Sequence, residues 1–369
     1  MESIKGYKRP SLYVPVLVMR NEEIKRLHDL KDAFSHQEVI PFLEIVRDFE
    51  KPTPRLGRKK KDGSRGKGSL NEAYMLASML SEIPEGKHVF AGLYRHLDKC
   101  KNQDFPDLFP YVEQLKNDEF YLSKSIALFQ FKNVTPVFEM DSGDDTAYAS
   151  AFLTEAKRLG RSSGIRLNAI NMKYNDVLMK LGDDDWLFLN IGESNVDTAY
   201  PSISFFEDYG IRGHLIIVGE NHPSSLKTTA LMPAENEKFL LHGDYFNDIA
   251  QYKSISGAGD YCSVKDSLVE SIRSKRHYDG KANFLIYHHS KNGYLILTDD
   301  ANNGAKGYLK VRQQAIQRAS EIDPHAMSII MNDVINGSYG QWNVIGLVHY
   351  IYDVLQLVIK DHYQETLSS

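Results

Sequence analysis

Cysteine is scarce in this chain of 369 residues, which contains two, Cys100 and Cys262, and no Cys-x-x-Cys motif. Two cysteines exclude the disulfide framework of a small secreted protein. The opening residues, MESIKGYKRP, are polar and lack the apolar segment of a secretory signal. We therefore expect a protein of the reducing cytoplasm, in which Cys262 is a buried packing residue rather than a nucleophile.

Motifs for common metal and nucleotide sites are also missing. The chain has no His-Glu-x-x-His motif and no EF-hand loop. Gly66-Lys67 is followed by Gly68 instead of Ser or Thr, which excludes a P-loop there. Gly257-Ala258-Gly259 lacks the third glycine of a dinucleotide fingerprint, so it indicates a tight turn or a bulge. No local motif therefore indicates a metal or nucleotide site.

A long uninterrupted apolar stretch is another absence. The most apolar segment, from Trp342 to Val358, is broken by His349, Asp353 and Gln356. Its apolar residues recur on one helical face, at Ile345, Val348, Ile351, Leu355 and Val358. This spacing predicts an amphipathic helix docked on the protein and no membrane span.

Positive charge is not in excess, since 44 Lys and Arg stand against 49 Asp and Glu. The exception is Lys51–Gly68, in which eight Lys or Arg and one Asp give a net charge of +7. Its four glycines predict a flexible loop after the second strand. Lys and Arg neutralise phosphates, whereas the lack of aromatic residues excludes base stacking. The candidate nucleic-acid contacts are Arg58, Lys59, Lys60, Lys61, Arg65 and Lys67. The alternatives are a solvated loop and a lid over an anionic substrate.

Two short apolar runs with the same pattern organise the chain. Val134–Asp141 reads VTPVFEMD, and Val39–Val46 reads VIPFLEIV. Each begins with Val-x-Pro, continues with two apolar residues and then has a glutamate. Apolar runs that end on polar residues and alternate with helix-like sequence are typical of a parallel barrel whose working groups lie at the strand ends.

The predicted fold is an α/β, TIM-like (β/α)8 barrel with a C-terminal α+β elaboration. Residues 1–250 form the barrel, and residues 251–369 form the elaboration packed on it. The eight strand candidates are Leu12–Met19, Val39–Val46, His88–Tyr94, Val134–Met140, Gly164–Ile170, Trp186–Ile191, His214–Val218 and Lys238–Leu241. Beyond them, Ile255–Tyr261 is rich in glycine, and Asn292-Gly293 predicts a hairpin turn between Asn283–His289 and Tyr294–Thr298.

Polar residues at the predicted strand ends form the strongest candidate site. They are Glu44, Arg95, His96, Glu139, Asp141, Asn190, Glu193, Glu220, His242 and Asp244. We expect a catalytic group of Glu44, Glu139, Asp141 and Arg95. We expect metal ligands among Glu139, Asp141, Glu220, His242 and Asp244, which would hold Mg²⁺ or Mn²⁺ and activate water for phosphodiester hydrolysis. The alternative is a buried structural network in which Glu44 and Glu139 pair with Arg95 and Arg166.

Several further segments form a recognisable set: YVPVLVMRNEEIKRL near the start, VIPFLEI, TPVFEMD, the Gly-Asp-Tyr at Gly259–Tyr261 and the following hairpin. Over about Leu12 to Asp300, this set resembles the bacterial and phage beta family proteins. It implies a role in phage–host conflict, with a nuclease-like or phage protein as the partner. It implies no catalytic mechanism, and the basic insertion after the second strand departs from the family pattern.

Two functions follow from the sequence. The first is an interaction or sensor protein of an anti-phage defence or phage-derived system. The second is a metal-dependent phosphodiesterase or nuclease with its site at the strand ends. The fold alone does not separate them, because barrels support many functions. Carboxylates that converge on one point would favour the enzyme, and carboxylates paired with Arg95 or Arg166 would favour the binding protein.

Overall fold

A computed structural model describes residues 12–55, 69–95, 110–140, 145–192, 194–219, 245–262, 282–288, 293–299, 304–332 and 339–368. Eight parallel strands form a closed barrel, in the order β1-β10-β9-β8-β7-β6-β5-β2. The barrel strands are β1 (Tyr13–Val18), β2 (Phe42–Ile45), β5 (Val89–Leu93), β6 (Val134–Glu139), β7 (Gly164–Leu167), β8 (Trp186–Gly192), β9 (His214–Gly219) and β10 (Ile255–Asp260). Two further strands, β3 (Thr53–Arg55) and β4 (Ser69–Asn71), form a separate hairpin. The predicted barrel is therefore confirmed.

The strand that closes the barrel differs from the one predicted. The sequence places the eighth strand at Lys238–Leu241, which lies outside the described residues, whereas β10 pairs with β1 and β9. The glycines of β10 explain the difference. A Cβ at Gly259 would lie 2.6 Å from the Val14 carbonyl oxygen, and one at Gly257 would lie 2.7 Å from Ile216 Cδ1. Glycines are therefore required where β10 packs closely against its neighbours. Because β10 spans Ile255–Asp260, the barrel sheet extends past the predicted domain boundary at residue 250.

Helices follow most of the strands. They are α1 (Asn21–Arg26), α2 (Lys31–Ser35), α3 (Leu76–Ser81), α4 (Pro110–Gln114), α5 (Asp118–Ala127), α6 (Thr146–Leu159), α7 (Asn175–Leu178), α8 (Tyr200–Asp208), α9 (Tyr245–Ala250), α10 (Tyr308–Gln317), α11 (Pro324–Asn332) and α12 (Tyr339–Ser368). Helix α6 shows the pattern clearly, because Ala149, Phe152, Leu153 and Ala156 are buried at helical spacing. It ends at Gly160, whose φ of 62° favours glycine.

The barrel interior is a packed core. Phe42 lies 5.3 Å from Phe188 between ring centroids, and Phe90 lies 5.0 Å from Phe188. Trp186 packs on Phe90 at 4.9 Å and on His214 at 4.4 Å, near the amino ends of β8 and β9. Side chains that fill the centre leave the carboxyl ends of the strands as the face where polar groups collect, as is usual for this fold.

The C-terminal elaboration packs on the barrel around α12. The hairpin strands β11 (Asn283–His288) and β12 (Gly293–Thr298) pair antiparallel, as predicted, and α12 contacts β11, α11, α1, α2 and β1. Ile345, Val348, Ile351 and Leu355 are buried, as the helical spacing predicts. Val344, Leu347, Tyr350 and Val354 are also buried, so the predicted single apolar face is too narrow. Among the described residues, no helix has the length and apolar character needed to span a membrane.

Candidate functional site

Four side chains meet inside the carboxyl end of the barrel, and we call them the mouth cluster: Glu44, Glu139, Arg166 and Tyr261. Side chains alternate between the two faces of a strand, so Glu44 lies on the same inward face of β2 as Phe42. The register pairs Glu139 on β6 with Arg166 on the neighbouring β7. Tyr261 follows β10 directly. Strand alternation therefore turns Glu44, Glu139 and Arg166 into the barrel interior, and Tyr261 joins them from the residue that follows β10.

Arg166 connects two strands across the barrel interior. Its Nη1 donates to Glu44 Oε1, and its Nη2 donates to the Tyr261 hydroxyl. The Tyr261 hydroxyl in turn donates to Glu44 Oε1 at 3.0 Å. Strands β5 and β6 lie between β2 and β7 in the sheet, so this ion pair spans the interior instead of joining neighbouring strands. Arg166 and Glu44 are each 1% exposed.

The surroundings keep the Arg166 guanidinium charged. Burial alone lowers its pKa, but Tyr261, Glu44 and Glu139 outweigh burial and hold the pKa well above its ordinary value. The guanidinium carbon also lies 5.4 Å from the Tyr261 ring centroid and 5.5 Å from the Phe42 ring centroid. The cation is therefore permanent, and Glu44 is its nearest counter-ion. A buried pair of this kind is costly to break by removing one partner, at about 3–5 kcal/mol.

Arg95 lies outside the mouth cluster. Its Nη1 donates to Asp145 Oδ1 at 3.1 Å, and its Nη2 donates to Asp118 Oδ1. Its guanidinium carbon lies 4.4 Å from the ring centroid of Tyr121, whose hydroxyl accepts from the Glu139 amide at 2.7 Å. Burial lowers the pKa of Arg95, but Tyr121, Asp145 and Asp118 raise it overall. Arg95 thus ties the end of β5 to the starts of α5 and α6.

The described chain contains only part of the predicted site. Glu139 is buried at the end of β6, and Asn190 is half-buried, with its Oδ1 accepting from the Gly192 amide at 3.2 Å. The residues outside the described ranges are His96, Asp141, Glu193, Glu220, His242, Asp244, and the loop residues Arg58, Lys59, Lys60, Lys61, Arg65 and Lys67. Within the described ranges, no three His, Cys, Asp or Glu side chains are grouped so that they could hold a metal.

A second buried cluster, which the sequence did not identify, lies on the outer side of the sheet at the end of β10. We call it the Asp260 junction, and its members are Tyr13, Asp260, Cys262 and Tyr350. Asp260 Oδ1 accepts from the Tyr13 hydroxyl at 3.0 Å and from the Cys262 amide at 2.9 Å. Asp260 Oδ2 accepts from the Tyr350 hydroxyl of α12 at 2.5 Å. The Gly-Asp-Tyr motif at Gly259–Tyr261 was the sequence signal that could have identified this cluster. Its Asp260 belongs to the Asp260 junction, and its Tyr261 belongs to the mouth cluster.

Comparison with known proteins adds no function to this geometry. No protein-family model matches the chain, and no curated protein matches it. The resemblance to beta family proteins therefore stays a prediction from short motifs. Functional conclusions depend on the contacts within the barrel and its C-terminal elaboration.

Proposed function

We propose that this chain is a cytoplasmic recognition component, an interaction or sensor protein, of a bacterial or phage conflict system. Its binding face is the carboxyl face of the barrel, where a TIM-like barrel carries its functional groups. The ion pair of Arg166 with Glu44 carries the proposal. The resemblance to beta family proteins supplies the biological setting, and a separate nuclease-like or phage protein is the partner it implies.

The ion pair favours binding over metal-dependent hydrolysis for a physical reason. A catalytic Mg²⁺ or Mn²⁺ needs carboxylate oxygens that are available for coordination. Glu44 is held instead by a guanidinium and a tyrosine hydroxyl, and the permanent positive charge of Arg166 would repel a second cation placed beside it. Recruiting Glu44 to a metal would remove the carboxylate that bonds to the buried Arg166 guanidinium. A buried and mutually bonded cluster of this kind suits recognition, because it holds the strand ends that surround the binding face in fixed positions.

The basic segment, Lys51–Gly68, begins beside the same face. Hairpin β3–β4 follows β2 and therefore begins at the carboxyl face of the barrel. Its base is anchored by Lys124 of α5, which pairs with Glu50 and lies 3.8 Å from Asp48. The residues between the two strands, 56–68, carry most of the charge of the basic segment. The position of the two hairpin strands and the charge of the sequence between them support contact between that segment and a polyanionic part of a partner, such as nucleic acid.

A hydrolysis assay tests the proposal against the alternative enzyme. Purified protein with Mn²⁺ is incubated with single-stranded and double-stranded DNA and RNA and with a simple phosphodiester, alongside Glu139→Gln. We expect no turnover by either protein when circular dichroism shows that both are folded. Turnover that disappears in Glu139→Gln would overturn the proposal and establish a phosphodiesterase with its site at the strand ends.

A phage-challenge assay tests the biological setting. The gene is expressed in bacteria with its native neighbouring genes, and plaques of a phage panel are counted. We expect the plaque count of at least one phage to change about tenfold or more, and Tyr261→Phe to cancel the change at equal protein level. The matched control is Tyr209→Phe, an exposed tyrosine between the end of α8 and the amino end of β9. Unchanged plaque counts across the panel would count against a role in phage–host conflict.

A further inference from the structure

Three consecutive residues at the end of β10 connect different parts of the protein. Asp260 bonds outward to Tyr350 of α12 and to Tyr13 of β1. Tyr261 bonds inward to Arg166 and Glu44. Cys262 has a φ of 56°, the left-handed conformation that a residue with a side chain rarely adopts. One short segment therefore belongs to the helix-docking surface and to the mouth cluster at the same time.

We infer that α12 and the mouth cluster form one coupled switch, in which docking of Tyr350 on Asp260 sets the position of Tyr261 and hence the arrangement of Arg166 and Glu44. This inference rests on the proposed recognition function, because it describes how binding at the mouth is regulated. A partner that displaces α12 from Asp260 would weaken the contacts within the mouth cluster. A ligand that rearranges the mouth cluster would in turn weaken the docking of α12. Coupling of this kind is reciprocal by thermodynamic necessity.

The hydrogen bonds of Asp260 make the segment sensitive to α12. The Asp260 side chain is fully buried and accepts bonds from three donors, so loss of Tyr350 would leave a buried carboxylate short of one of them. The Cys262 amide is one of these donors, and its bond helps to hold Cys262 in the left-handed conformation. Such strain persists only where the surroundings impose it. Release of Asp260 would allow residues 260–262 to relax together.

The rest of α12 explains how a partner could act on this segment. Trp342 of α12 stacks on Tyr308 of α10 with ring centroids 5.6 Å apart, and it packs edge-on against Phe284 of β11 at 4.8 Å. The hairpin β11–β12, α10 and α12 therefore form one packed unit. The Tyr350 hydroxyl connects this unit to the end of β10, whereas Tyr352 connects it elsewhere, to the Asp29 carbonyl oxygen at 3.1 Å. Tyr350 and Tyr352 thus provide a matched pair of substitutions.

The test compares Tyr350→Phe with Tyr352→Phe in the full chain, with no ligand. Each substitution removes one hydroxyl of α12, but only the first removes a bond to Asp260. Hydrogen exchange measured by mass spectrometry follows peptides that cover Phe42–Ile45 and Gly164–Leu167, which carry Glu44 and Arg166. We expect Tyr350→Phe to speed exchange there about fivefold, the change that one hydrogen bond makes in an opening equilibrium, and Tyr352→Phe to leave it unchanged.

Cys262 provides a second readout of the same opening. Burial raises the pKa of its thiol well above the ordinary value, and nearby Asp260 adds to the effect. In a Cys100→Ser background, labelling by a disulfide reagent therefore follows the release of residues 260–262. We expect Tyr350→Phe to accelerate labelling and Tyr352→Phe not to. Equal effects of the two substitutions on mouth exchange, or no effect of either, would overturn the inference.

The reverse direction keeps the inference testable if Tyr350→Phe does not fold. Tyr261→Phe removes the hydroxyl shared by Arg166 and Glu44 and leaves Asp260 in place. Reciprocity requires faster exchange in peptides of α12 and faster labelling of Cys262. Unchanged rates in Tyr261→Phe would overturn the coupling. These experiments use neither substrate nor partner, so their outcome is independent of the hydrolysis and plaque assays. Those assays can contradict the proposed function while the coupling holds, and the exchange experiments can contradict the coupling while the proposed function stands.

Discussion

Arg166 of β7 and Glu44 of β2 are 122 positions apart in sequence and form an ion pair through the interior of the barrel. Two strands separate them in the sheet, so the pair fixes the cross-section of the barrel at its carboxyl end. Tyr261, the residue after β10, completes the contact. The same three residues therefore contribute to stability and shape the face at which recognition is proposed.

The first prediction concerns the cost of breaking this pair. Arg166→Met and Glu44→Leu should each lower the free energy of unfolding by about 3–5 kcal/mol, because each leaves a buried charge without its partner. The double variant should lose less than the sum of the two, since it removes both charges and fills the space with apolar atoms. Urea unfolding followed by circular dichroism measures all three.

Arg158→Met, which breaks the exposed pair with Glu155, serves as the control and should leave the unfolding midpoint unchanged. Additive losses would show that the two charges do not depend on each other.

The second prediction tests the strand that closes the barrel. Gly259→Ala should destabilise the protein by about 1–3 kcal/mol, because the new methyl would lie 2.6 Å from the Val14 carbonyl oxygen and force β1 and β10 apart. The control is Gly182→Ala, whose methyl would lie 3.4 Å from an Asp185 carboxylate oxygen, an ordinary contact. Thermal unfolding compares the two. A Gly259→Ala protein as stable as the control would argue against direct pairing of β10 with β1.

The third prediction is a pH dependence of stability that comes from Asp260. Burial raises the pKa of this carboxyl, although hydrogen bonds from Tyr350, Cys262 and Tyr13 act in the opposite direction. The folded state therefore binds the proton more tightly than the unfolded state does. Consequently, the contribution of Asp260 to stability is largest below its unfolded pKa of about 4, and it declines as the pH rises through the folded pKa.

Asp260→Asn removes this titration and provides the comparison. The free energy of unfolding of the wild type, minus that of Asp260→Asn, should fall as the pH is raised from about 4 towards neutrality. Urea titrations at several pH values measure the difference, and Asp208→Asn, at an exposed position, is the reference substitution. A difference that grows with pH would mean that the hydrogen bonds, rather than burial, control this carboxyl.

The fourth prediction concerns the basic segment between β3 and β4. Replacing its six candidate contacts with glutamine should weaken binding of a fluorescein-labelled single-stranded oligonucleotide at least about tenfold at low salt. The reason is that a protein with fewer cations neutralises fewer phosphates, so binding releases fewer counterions from the oligonucleotide. The substituted residues are Arg58, Lys59, Lys60, Lys61, Arg65 and Lys67. Fluorescence anisotropy over a range of salt concentrations measures the affinity and its salt slope.

The control for the basic segment replaces exposed lysines elsewhere, namely Lys157, Lys173 and Lys180, with glutamine. These changes should leave affinity and salt slope close to those of the wild type if the segment itself makes the contact. Similar losses in both variants would indicate nonspecific attraction by total charge. No binding by the wild type would assign the segment to a solvated loop.

Short apolar runs separated by helix-like sequence were sufficient to predict most of the barrel. Seven of the eight predicted strands match barrel strands, from Tyr13–Val18 to His214–Gly219. The eighth was missed because glycine is unfavourable in most strands. In β10 glycine is needed because Val14 and Ile216 approach the β10 backbone too closely for a side chain, and only the folded structure shows this. The alternative that paired Glu44 with Arg166 matches the structure, whereas Arg95 pairs with Asp118 and Asp145.

The local sequence pattern therefore specified the fold class, because an apolar run in a strand and the apolar spacing in a helix involve residues only a few positions apart. The contacts that suggest function were decided by packing over long sequence distances. Arg166 meets Glu44 and Tyr261, and Asp260 meets Tyr350, because closing the barrel and docking α12 bring distant elements together. A buried charge takes the nearest partner that compensates its lost hydration, and only the folded chain determines which partner that is.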